Sequence, residues 1–87
     1  MKIKRNKDIY FKIVSGHVVL LEKNKKFIRE LNKSATFLWK QLNKPKTLEK
    51  LTESLRKKYK ITKSQAVKDV KEWVKNYLKK GFLEKAD

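Results

Sequence analysis

Hydrophobic and polar positions follow two different periods along the chain. Between residues 9 and 31, short segments rich in β-branched and aromatic residues are separated by turn residues, and the first and third of them follow the period of two expected of β-strands. From Asn32 onward, apolar side chains recur at every third or fourth position, as they do on one face of an α-helix. The pattern therefore predicts an α+β fold, with a β-meander over 9–31 and helices over 32–83, after a basic N-terminal segment at 1–8.

The β-meander is predicted to contain three strands joined by two turns. In chain order these are the strand 9–14, the turn Ser15-Gly16, the strand 17–21, the turn 22–25 and the strand 26–31. The second turn contains Asn24, a residue type that is able to adopt a positive φ angle. The result would be a three-stranded antiparallel sheet.

The third predicted strand has the features of a sheet edge. Phe27, Arg29 and Leu31 are expected to share one face of the strand, and Ile28 and Glu30 the other, which is typical of a half-buried strand. The edge of a sheet leaves a row of backbone N–H and C=O groups unpaired. Natural proteins use such a row to bind an extended segment of a partner as an additional strand.

Three helices are predicted from their N-terminal caps and their apolar stripes. The capping residues are Asn32, Thr47 and Thr62. Thr62 is followed three positions later by Gln65, the pattern of a capping box, and Gly81 is placed to end the third helix. Phe82 and Leu83 are expected to fold back on the core. The second and third helices resemble a helix-turn-helix, and together with the small sheet they predict a winged-helix-like arrangement.

Length and composition support one folded domain over residues 1–87. The chain has 87 residues, of which 39% are hydrophobic, with two glycines and one proline, so it can form one modest core. It has no cysteine, which excludes disulfides and thiolate ligands and is compatible with a reducing, cytoplasmic location. No apolar run reaches the length of a signal peptide or a membrane-spanning helix, so we expect no membrane partner.

The residues that catalysis or cofactor binding would require are missing from the sequence. His17 is the one histidine, no cysteine is present, and most of the nine acidic residues lie beside lysines on predicted solvent faces. His17 itself fits a turn or surface position better than that of a base or a ligand. No spacing matches a metal site, and with only Gly16 and Gly81 there is no phosphate-binding glycine loop. We therefore expect a binding protein without enzymatic activity, cofactor or metal.

Several segments between residue 9 and about residue 84 together resemble the PqqD-like family, the small domains known as precursor-peptide (RiPP) recognition elements. The matching segments are, in chain order, Leu31-Asn32, Ala35-Thr36-Phe37-Leu38-Trp39, Pro45 to Leu51, and Asp69 to Leu83. Their order and spacing carry the resemblance. It implies a winged-helix-like domain with a groove between the third strand and the third helix.

The resemblance also implies the ligand of that groove, which is the leader segment of a ribosomally made precursor peptide, docked as an additional antiparallel strand. The residues expected to bind the peptide are Lys26, Phe27, Ile28, Arg29, Glu30 and Leu31 on the strand and Asp69, Trp73 and Asn76 on the helix. Phe27, Leu31 and Trp73 are also suited to core positions. Members of the family present the bound peptide to a peptide-modifying enzyme or a leader protease.

The charge of the chain bears on its partner without identifying it. A net charge of +16 attracts nucleic acid, anionic surfaces and acidic peptides alike. If the partner is a leader peptide, we expect an acidic one, whose approach would be steered by basic side chains near the groove. The lysines proposed for this steering are Lys25, Lys68, Lys71 and Lys75. For each of them, a plain solvated surface position is the alternative.

Two other functions are compatible with these features. The charge and the helix-turn-helix pattern suggest a DNA-binding winged helix, although the third helix carries lysines and no arginine, which suits phosphate contact better than base readout. An assembly subunit that dimerises through the exposed strand edge is the second alternative. Leader-peptide binding is the function we expect, and nucleic acid is the less favoured partner.

Overall fold

The computed structural model describes residues 1–86, which form six strands and three helices. In chain order they are β1 (Lys2–Arg5), β2 (Tyr10–Val14), β3 (His17–Leu21), β4 (Phe27–Glu30), α1 (Lys33–Gln41), β5 (Lys46–Thr47), α2 (Leu48–Tyr59), α3 (Lys63–Lys79) and β6 (Leu83–Lys85). The predicted α+β fold, in which a three-stranded antiparallel sheet precedes three helices, is confirmed.

The strands β2, β3 and β4 form the antiparallel meander, in that order. Ser15 and Gly16 have φ angles of 53° and 82°, so they form a two-residue hairpin turn that matches the twist of the flanking strands. In the second turn the positive φ lies at Lys25, at 65°, and not at Asn24. The Asn24 side chain instead accepts a hydrogen bond from the Lys26 N–H at 3.1 Å, which stabilises the turn from a neighbouring position.

A β-bulge at Ile28 changes the faces that the residues of β4 occupy. Leu20 of β3 pairs with Arg29, and the next residue, Leu21, pairs with Phe27, which leaves Ile28 as the additional residue. Because Leu20 and Leu21 point to opposite faces of the sheet, Arg29 and Phe27 do as well. The prediction that Phe27 and Arg29 share a face is therefore wrong. Arg29 lies on the face of the buried Leu20, and Phe27 is 64% exposed on the other face.

A second sheet, not predicted from the sequence, brings the two ends of the chain together. β1 is its central strand and pairs antiparallel with both β5 and β6. The N-terminal segment 1–8, to which no element was assigned, therefore supplies a strand, and the side chain of Ile3 in that strand is fully buried in the core. The second sheet contacts α2 and α3, whereas the meander contacts α1. Of the two sheets, only the meander contributes residues to the candidate site.

The helices begin at the predicted N-cap residues. The side-chain oxygens of Asn32, Thr47 and Thr62 each accept a hydrogen bond from the backbone N–H three residues later, at 2.9 to 3.1 Å. The reciprocal half of the predicted capping box is not formed, because the Gln65 side chain donates to Asp69 Oδ1 at 2.7 Å instead. The Gln65 side chain therefore does not cap the helix but binds Asp69, one of the predicted peptide-binding residues.

Gly81 ends α3 and turns the chain back toward the core. Its φ angle of 80° is a left-handed conformation that glycine adopts readily, as predicted for the residue after the helix cap. The Phe82 N–H then donates to the Tyr77 carbonyl at 2.9 Å and the Gly81 N–H to the Leu78 carbonyl at 3.1 Å, the two bonds of a Schellman motif. Phe82 and Leu83 are buried, which confirms that they fold back on the core.

The core lies between the strands and the three helices. Its largest fully buried side chains are Trp39, Ile3, Leu20, Leu31, Leu51, Leu55, Leu83, Val18 and Val70. The Arg5 guanidinium packs against this core: its Nε donates to the Trp39 carbonyl at 3.0 Å, and its carbon lies 4.7 Å from the centre of the Phe11 ring. Partial burial lowers the pKa of Arg5 by desolvation. These contacts hold β1 and β2 against α1.

Candidate functional site

The strand β4 lies at one side of the meander, and no strand among residues 1–86 pairs with its free edge. The Leu31 N–H donates to the Val18 carbonyl of β3 at 2.8 Å, so the backbone groups of Leu31 point inward, toward β3. Inward and outward groups alternate along an antiparallel strand, so the N–H and C=O of Glu30 point outward. β4 therefore presents a donor and an acceptor to an extended segment lying beside it.

A cleft of about 480 Å³ lies between β4 and α3, with contributions from α1 and α2. Its lining residues are Arg29, Glu30, Leu31, Asn32, Ser34, Ala35, Leu38, Leu55, Asp69, Glu72, Trp73, Asn76 and Tyr77. Clefts of this size accommodate a few side chains, and this one adjoins the free edge of β4. A segment bound along that edge would therefore place side chains in the cleft.

Aromatic residues form one part of the α3 wall of the cleft. The ring centroid of the half-buried Trp73 lies 4.6 Å from that of Tyr77, which in turn meets Phe82 edge to face at 5.3 Å. On the β4 side, the Arg29 guanidinium lies 5.9 Å from the centre of the Phe82 ring, within the range of a cation–π contact. Trp73 lines the cleft and also packs against the core, so it combines the two positions considered for it.

Asp69, Glu72 and Asn76 form the polar part of the α3 wall. They are three and four residues apart, so they lie on the same side of the helix. The hydrogen bond from Gln65 holds the Asp69 carboxylate in place on this side. The two parts of the wall together offer an aromatic surface flanked by carboxylate and amide groups.

The cleft is acidic although the protein is strongly basic. Arg29 is the one basic residue that lines it, against the carboxylates of Asp69 and Glu72 on α3, which gives a formal charge of −1 in a chain of net charge +16. Glu30 lies between Arg29 and Leu31 on the strand, so its side chain is on the opposite face of the sheet. The ion pairs found among residues 1–86 lie elsewhere, at Lys4–Glu84, Arg56–Glu53 and Lys57–Glu53. The charge inside the cleft is thus opposite in sign to that of the surface around it.

Thr36 of α1 and His17 of β3 hold the end of β4 beside the cleft. The buried Thr36 hydroxyl accepts a hydrogen bond from the Val18 N–H at 3.1 Å and donates to the Leu31 carbonyl at 3.2 Å. The Leu31 carbonyl also lies 2.9 Å from His17 Nδ1, so this ring nitrogen carries the proton. His17 therefore has a structural role at the end of β4.

The predicted peptide-binding residues divide between the cleft and the surface beside it. Those that line the cleft are Arg29, Glu30, Leu31, Asp69, Trp73 and Asn76. Phe27 lies on the outer face of the sheet because of the bulge, and Lys26 and Ile28 lie at the start of β4, outside the cleft lining. The structure thus brings together the later half of the strand segment and all three helix residues.

The lysines predicted to steer a peptide all lie outside the cleft. Lys25 is exposed in the turn before β4, and Lys68 is exposed on α3. Lys71 and Lys75 line cavities on the other side of α3. Lys25 and Lys68 line none of these cavities, so they remain as the steering candidates on exposed surface outside the cavities on either side of α3.

Several residues that line the cleft were not predicted from the sequence. Glu72 lies three residues after Asp69 and four before Asn76, so the helical period was a signal that could have identified it. Tyr77 belongs to the apolar side of α3 and resembles a core residue. The residues from α1, such as Ser34, reach the cleft only through the packing of α1 beside β4, for which the sequence carries no local signal.

Within residues 1–86, neither a metal site nor a membrane-spanning helix accompanies the cleft. No group of three His, Cys, Asp or Glu side chains there is arranged to hold a metal ion. None of the three described helices combines the length and apolar character that crossing a membrane requires. The cleft beside β4 is therefore the candidate site that the described residues support.

The fold and the cleft define a class of protein, a small winged-helix-like domain with an open strand edge beside an aromatic and polar cleft. A family model described as coenzyme PQQ synthesis protein D (PqqD) matches residues 17–83. This match covers most of the chain, and the chain belongs to the PqqD family. The family membership expected from the sequence is confirmed.

A solved structure supports the same fold. The chain is similar to a structure described as TbiB1 in complex with the TbiA(beta) leader peptide, with a TM-score of 0.82 and 20% sequence identity. The superposition covers 97% of this chain and 99% of that chain. At this identity the likeness concerns the fold. No curated protein matches the chain.

Proposed function

We propose that the chain is a non-catalytic leader-peptide-binding protein, which captures the leader of a ribosomally made precursor peptide as a strand added to β4. The observation that carries this proposal is the outward-facing N–H and C=O of Glu30, on a free strand edge that adjoins the cleft. In such an arrangement backbone hydrogen bonds supply affinity, and pockets for alternate side chains supply selectivity.

The structural neighbour supports a peptide as the ligand. TbiB1 was solved in complex with a leader peptide, and its fold superposes on 97% of this chain. A peptide that pairs with β4 alternates its side chains, so every second one would face the cleft. The cleft of about 480 Å³ has room for a few such side chains.

Each part of the cleft has a distinct role in this proposal. Trp73 offers an apolar surface to a leader side chain, and Tyr77 supports its ring. Asp69 and Asn76 offer a carboxylate and an amide to polar leader groups. Arg29 is the one position in the cleft suited to a leader carboxylate.

The leader is proposed to be acidic overall, with its acidic residues beside Arg29 or outside the cleft. The net charge of +16 attracts an acidic peptide over a distance, whereas the carboxylates of Asp69 and Glu72 repel acidic side chains in contact with them. Exposed lysines near β4 and α3, such as Lys25 and Lys68, would mainly raise the association rate.

In this proposal the bound leader is presented to a separate peptide-modifying enzyme or leader protease. The chain itself would supply no chemistry, because its one histidine is committed to the Leu31 carbonyl and it has no cysteine. A reducing, cytoplasmic location, compatible with the absence of cysteine, is part of the same proposal.

A titration tests the proposal against DNA binding, which the charge and the winged-helix-like fold also suggest. The protein is titrated with the leader peptide encoded beside its gene and, in parallel, with a DNA duplex, each at about 50 and about 200 mM salt. Submicromolar leader binding that persists at the higher salt would support the proposal, since buried contacts are screened less than surface charges. Absence of leader binding together with tight, steeply salt-dependent DNA binding would overturn it.

A further inference from the structure

Two more cavities adjoin each other on the side of α3 that faces away from the cleft. One, of about 480 Å³, lies between α2 and α3, and the other, of about 530 Å³, lies between α3 and the second sheet. Leu48 and Lys71 line both cavities, so the two form one continuous groove. We call it the lysine groove, because lysines border an apolar floor along its length.

The floor of the lysine groove is a stripe of aliphatic side chains. Val67, Val74 and Leu78 of α3 lie at i, i+7 and i+11, and Leu48 of α2 lies opposite them. Val74 is buried, whereas Val67, Leu78 and Leu48 are only half-buried. The stripe on α3 runs for about 16 Å, at 1.5 Å per residue. It therefore leaves apolar surface in contact with water along about three helical turns.

The border of the groove is positively charged. Its lysines are Lys63, Lys71, Lys75, Lys79 and Lys85. None of these takes part in the ion pairs found within residues 1–86. The acidic residues that line the groove are Glu49 and Glu53, and Glu53 is already paired with Arg56 at 2.8 Å, which lowers the pKa of Glu53. The charge of Lys63 also contributes to lowering that pKa, so Lys71, Lys75, Lys79 and Lys85 are the lysines available to an anionic partner.

The chemistry of the groove selects among possible occupants. A nucleic-acid backbone would pair with the lysines but leave the aliphatic floor uncovered. An uncharged apolar helix would cover the floor but leave five ammonium groups facing an apolar surface. A helix with one apolar face and acidic residues beside it satisfies both the floor and the border, and helices of this kind commonly bind in grooves.

We infer that the lysine groove is a second docking surface, which binds an acidic amphipathic helix of a partner protein. The groove and the cleft lie on different sides of α3, so a partner helix and a leader peptide can be bound at the same time. The inference goes beyond leader binding and does not depend on it.

The test uses the whole chain, labelled with ¹⁵N, and two synthetic peptides of about 15 residues with the same composition. One peptide is an acidic amphipathic helix, and the other has a scrambled sequence with the same charge. We expect the amphipathic peptide to bind at least about tenfold more tightly than the scrambled one, since only it can cover the aliphatic floor. The amide signals that shift should be those of the stripe, Val67, Val74 and Leu78.

Two charge-reversal variants locate the site. The triple variant Lys71→Glu, Lys75→Glu, Lys79→Glu alters exposed border residues of the groove, and we expect it to weaken amphipathic-peptide binding at least about tenfold. The control triple variant, with the same change of net charge, alters exposed lysines that line neither cavity. It consists of Lys7→Glu, Lys12→Glu and Lys23→Glu. The control should lose much less affinity.

Equal binding of the two peptides, or equal losses of affinity in the two triple variants, would overturn the inference. Either result would mean that acidic peptides bind through the overall positive charge and not in the lysine groove. Binding of anionic phospholipid vesicles or duplex DNA at the stripe in preference to the amphipathic peptide would also overturn it. The variant Leu78→Gln should weaken the amphipathic peptide and leave leader binding unchanged. A leader titration on the same samples therefore separates failure of this inference from failure of the proposed function.

Discussion

At the scale of single residues, Thr36 connects three elements beside the cleft. It is the buried polar residue found within residues 1–86, with 5% of its surface exposed. Its hydroxyl pairs with the Val18 N–H of β3 and with the Leu31 carbonyl at the end of β4. A buried donor left without a partner costs about 1–3 kcal/mol. Thr36 therefore contributes to stability and to the position of the free strand edge.

Thr36→Val removes the hydroxyl and nearly preserves the side-chain volume. We predict a loss of about 1–3 kcal/mol in the free energy of unfolding, measured by urea denaturation, because the Val18 N–H loses its acceptor. Thr36→Ser keeps the hydroxyl and removes one methyl group, so its loss should be about 1 kcal/mol. A larger loss for the serine variant than for the valine variant would contradict the role of the hydrogen bonds.

Substitution of Arg29 can distinguish the effect of charge inside the cleft on leader binding from the effect of the net charge of the protein. Arg29→Glu replaces the one guanidinium of the cleft with a carboxylate beside those of Asp69 and Glu72, and we predict at least about tenfold weaker leader binding, mainly through faster dissociation. Lys26→Glu changes the net charge equally but lies outside the cleft lining. Its effect should fall mainly on the association rate and fade at about 200 mM salt. Stopped-flow kinetics that show the same changes for both variants would contradict a specific role of Arg29.

At the scale of elements, the parts predicted correctly are those with local signals. The caps at Asn32, Thr47 and Thr62 were predictable because each depends on a hydrogen bond that spans three residues. The placement of Asp69, Trp73 and Asn76 on one side of α3 follows from helical spacing alone. The helix side of the candidate site was therefore accessible from the sequence.

The elements that the sequence did not reveal depend on distant partners. β1 has the sequence KIKR, with Ile3 as its one apolar residue, and it pairs with strands more than 40 residues away. The bulge at Ile28 is likewise set by the pairing of β4 with β3 rather than by a glycine or proline. The alternation of apolar and polar residues within one strand indicates neither the pairing of β1 nor the bulge in β4. For this reason the alternation predicts the wrong face for Phe27.

The free edge of β4 can be tested with proline, which has no backbone N–H. Glu30→Pro removes the outward donor that a leader strand would use, and we predict at least about tenfold weaker leader binding by calorimetry. The β3-β4 ladder should survive, because the Leu31 N–H, not that of Glu30, bonds to β3. Glu30→Ala is the control, since it keeps the N–H and removes only a carboxylate. An equal loss in both variants would argue against strand addition at this edge.

The second sheet is predicted to be essential for stability. Ile3 is fully buried at its centre, and Ile3→Ala should lower the free energy of unfolding by about 2–5 kcal/mol in urea denaturation. Ile13, in β2, is 52% exposed, and Ile13→Ala should change the stability by less than about 1 kcal/mol. Similar losses for the two variants would contradict the contribution of β1 to the core.

At the scale of the whole molecule, attraction and recognition have opposite charge requirements. The net charge of +16 draws an acidic chain toward the protein, while the cleft carries the carboxylates of Asp69 and Glu72 and one guanidinium. The proposed leader can satisfy both if its acidic residues lie outside the segment facing α3. The charge of the protein then governs how fast a leader arrives, and the edge of β4 with its cleft governs which leader stays bound.

The most direct test of strand addition is amide hydrogen exchange at Glu30, followed by NMR with and without the leader peptide. In the free protein the Glu30 amide points away from the sheet and should exchange quickly, whereas the Leu31 amide is already bonded to Val18. We predict that saturating leader slows exchange at Glu30 by at least about tenfold, because the peptide backbone accepts its hydrogen bond. Leader binding that leaves exchange at Glu30 unchanged would contradict strand addition to β4.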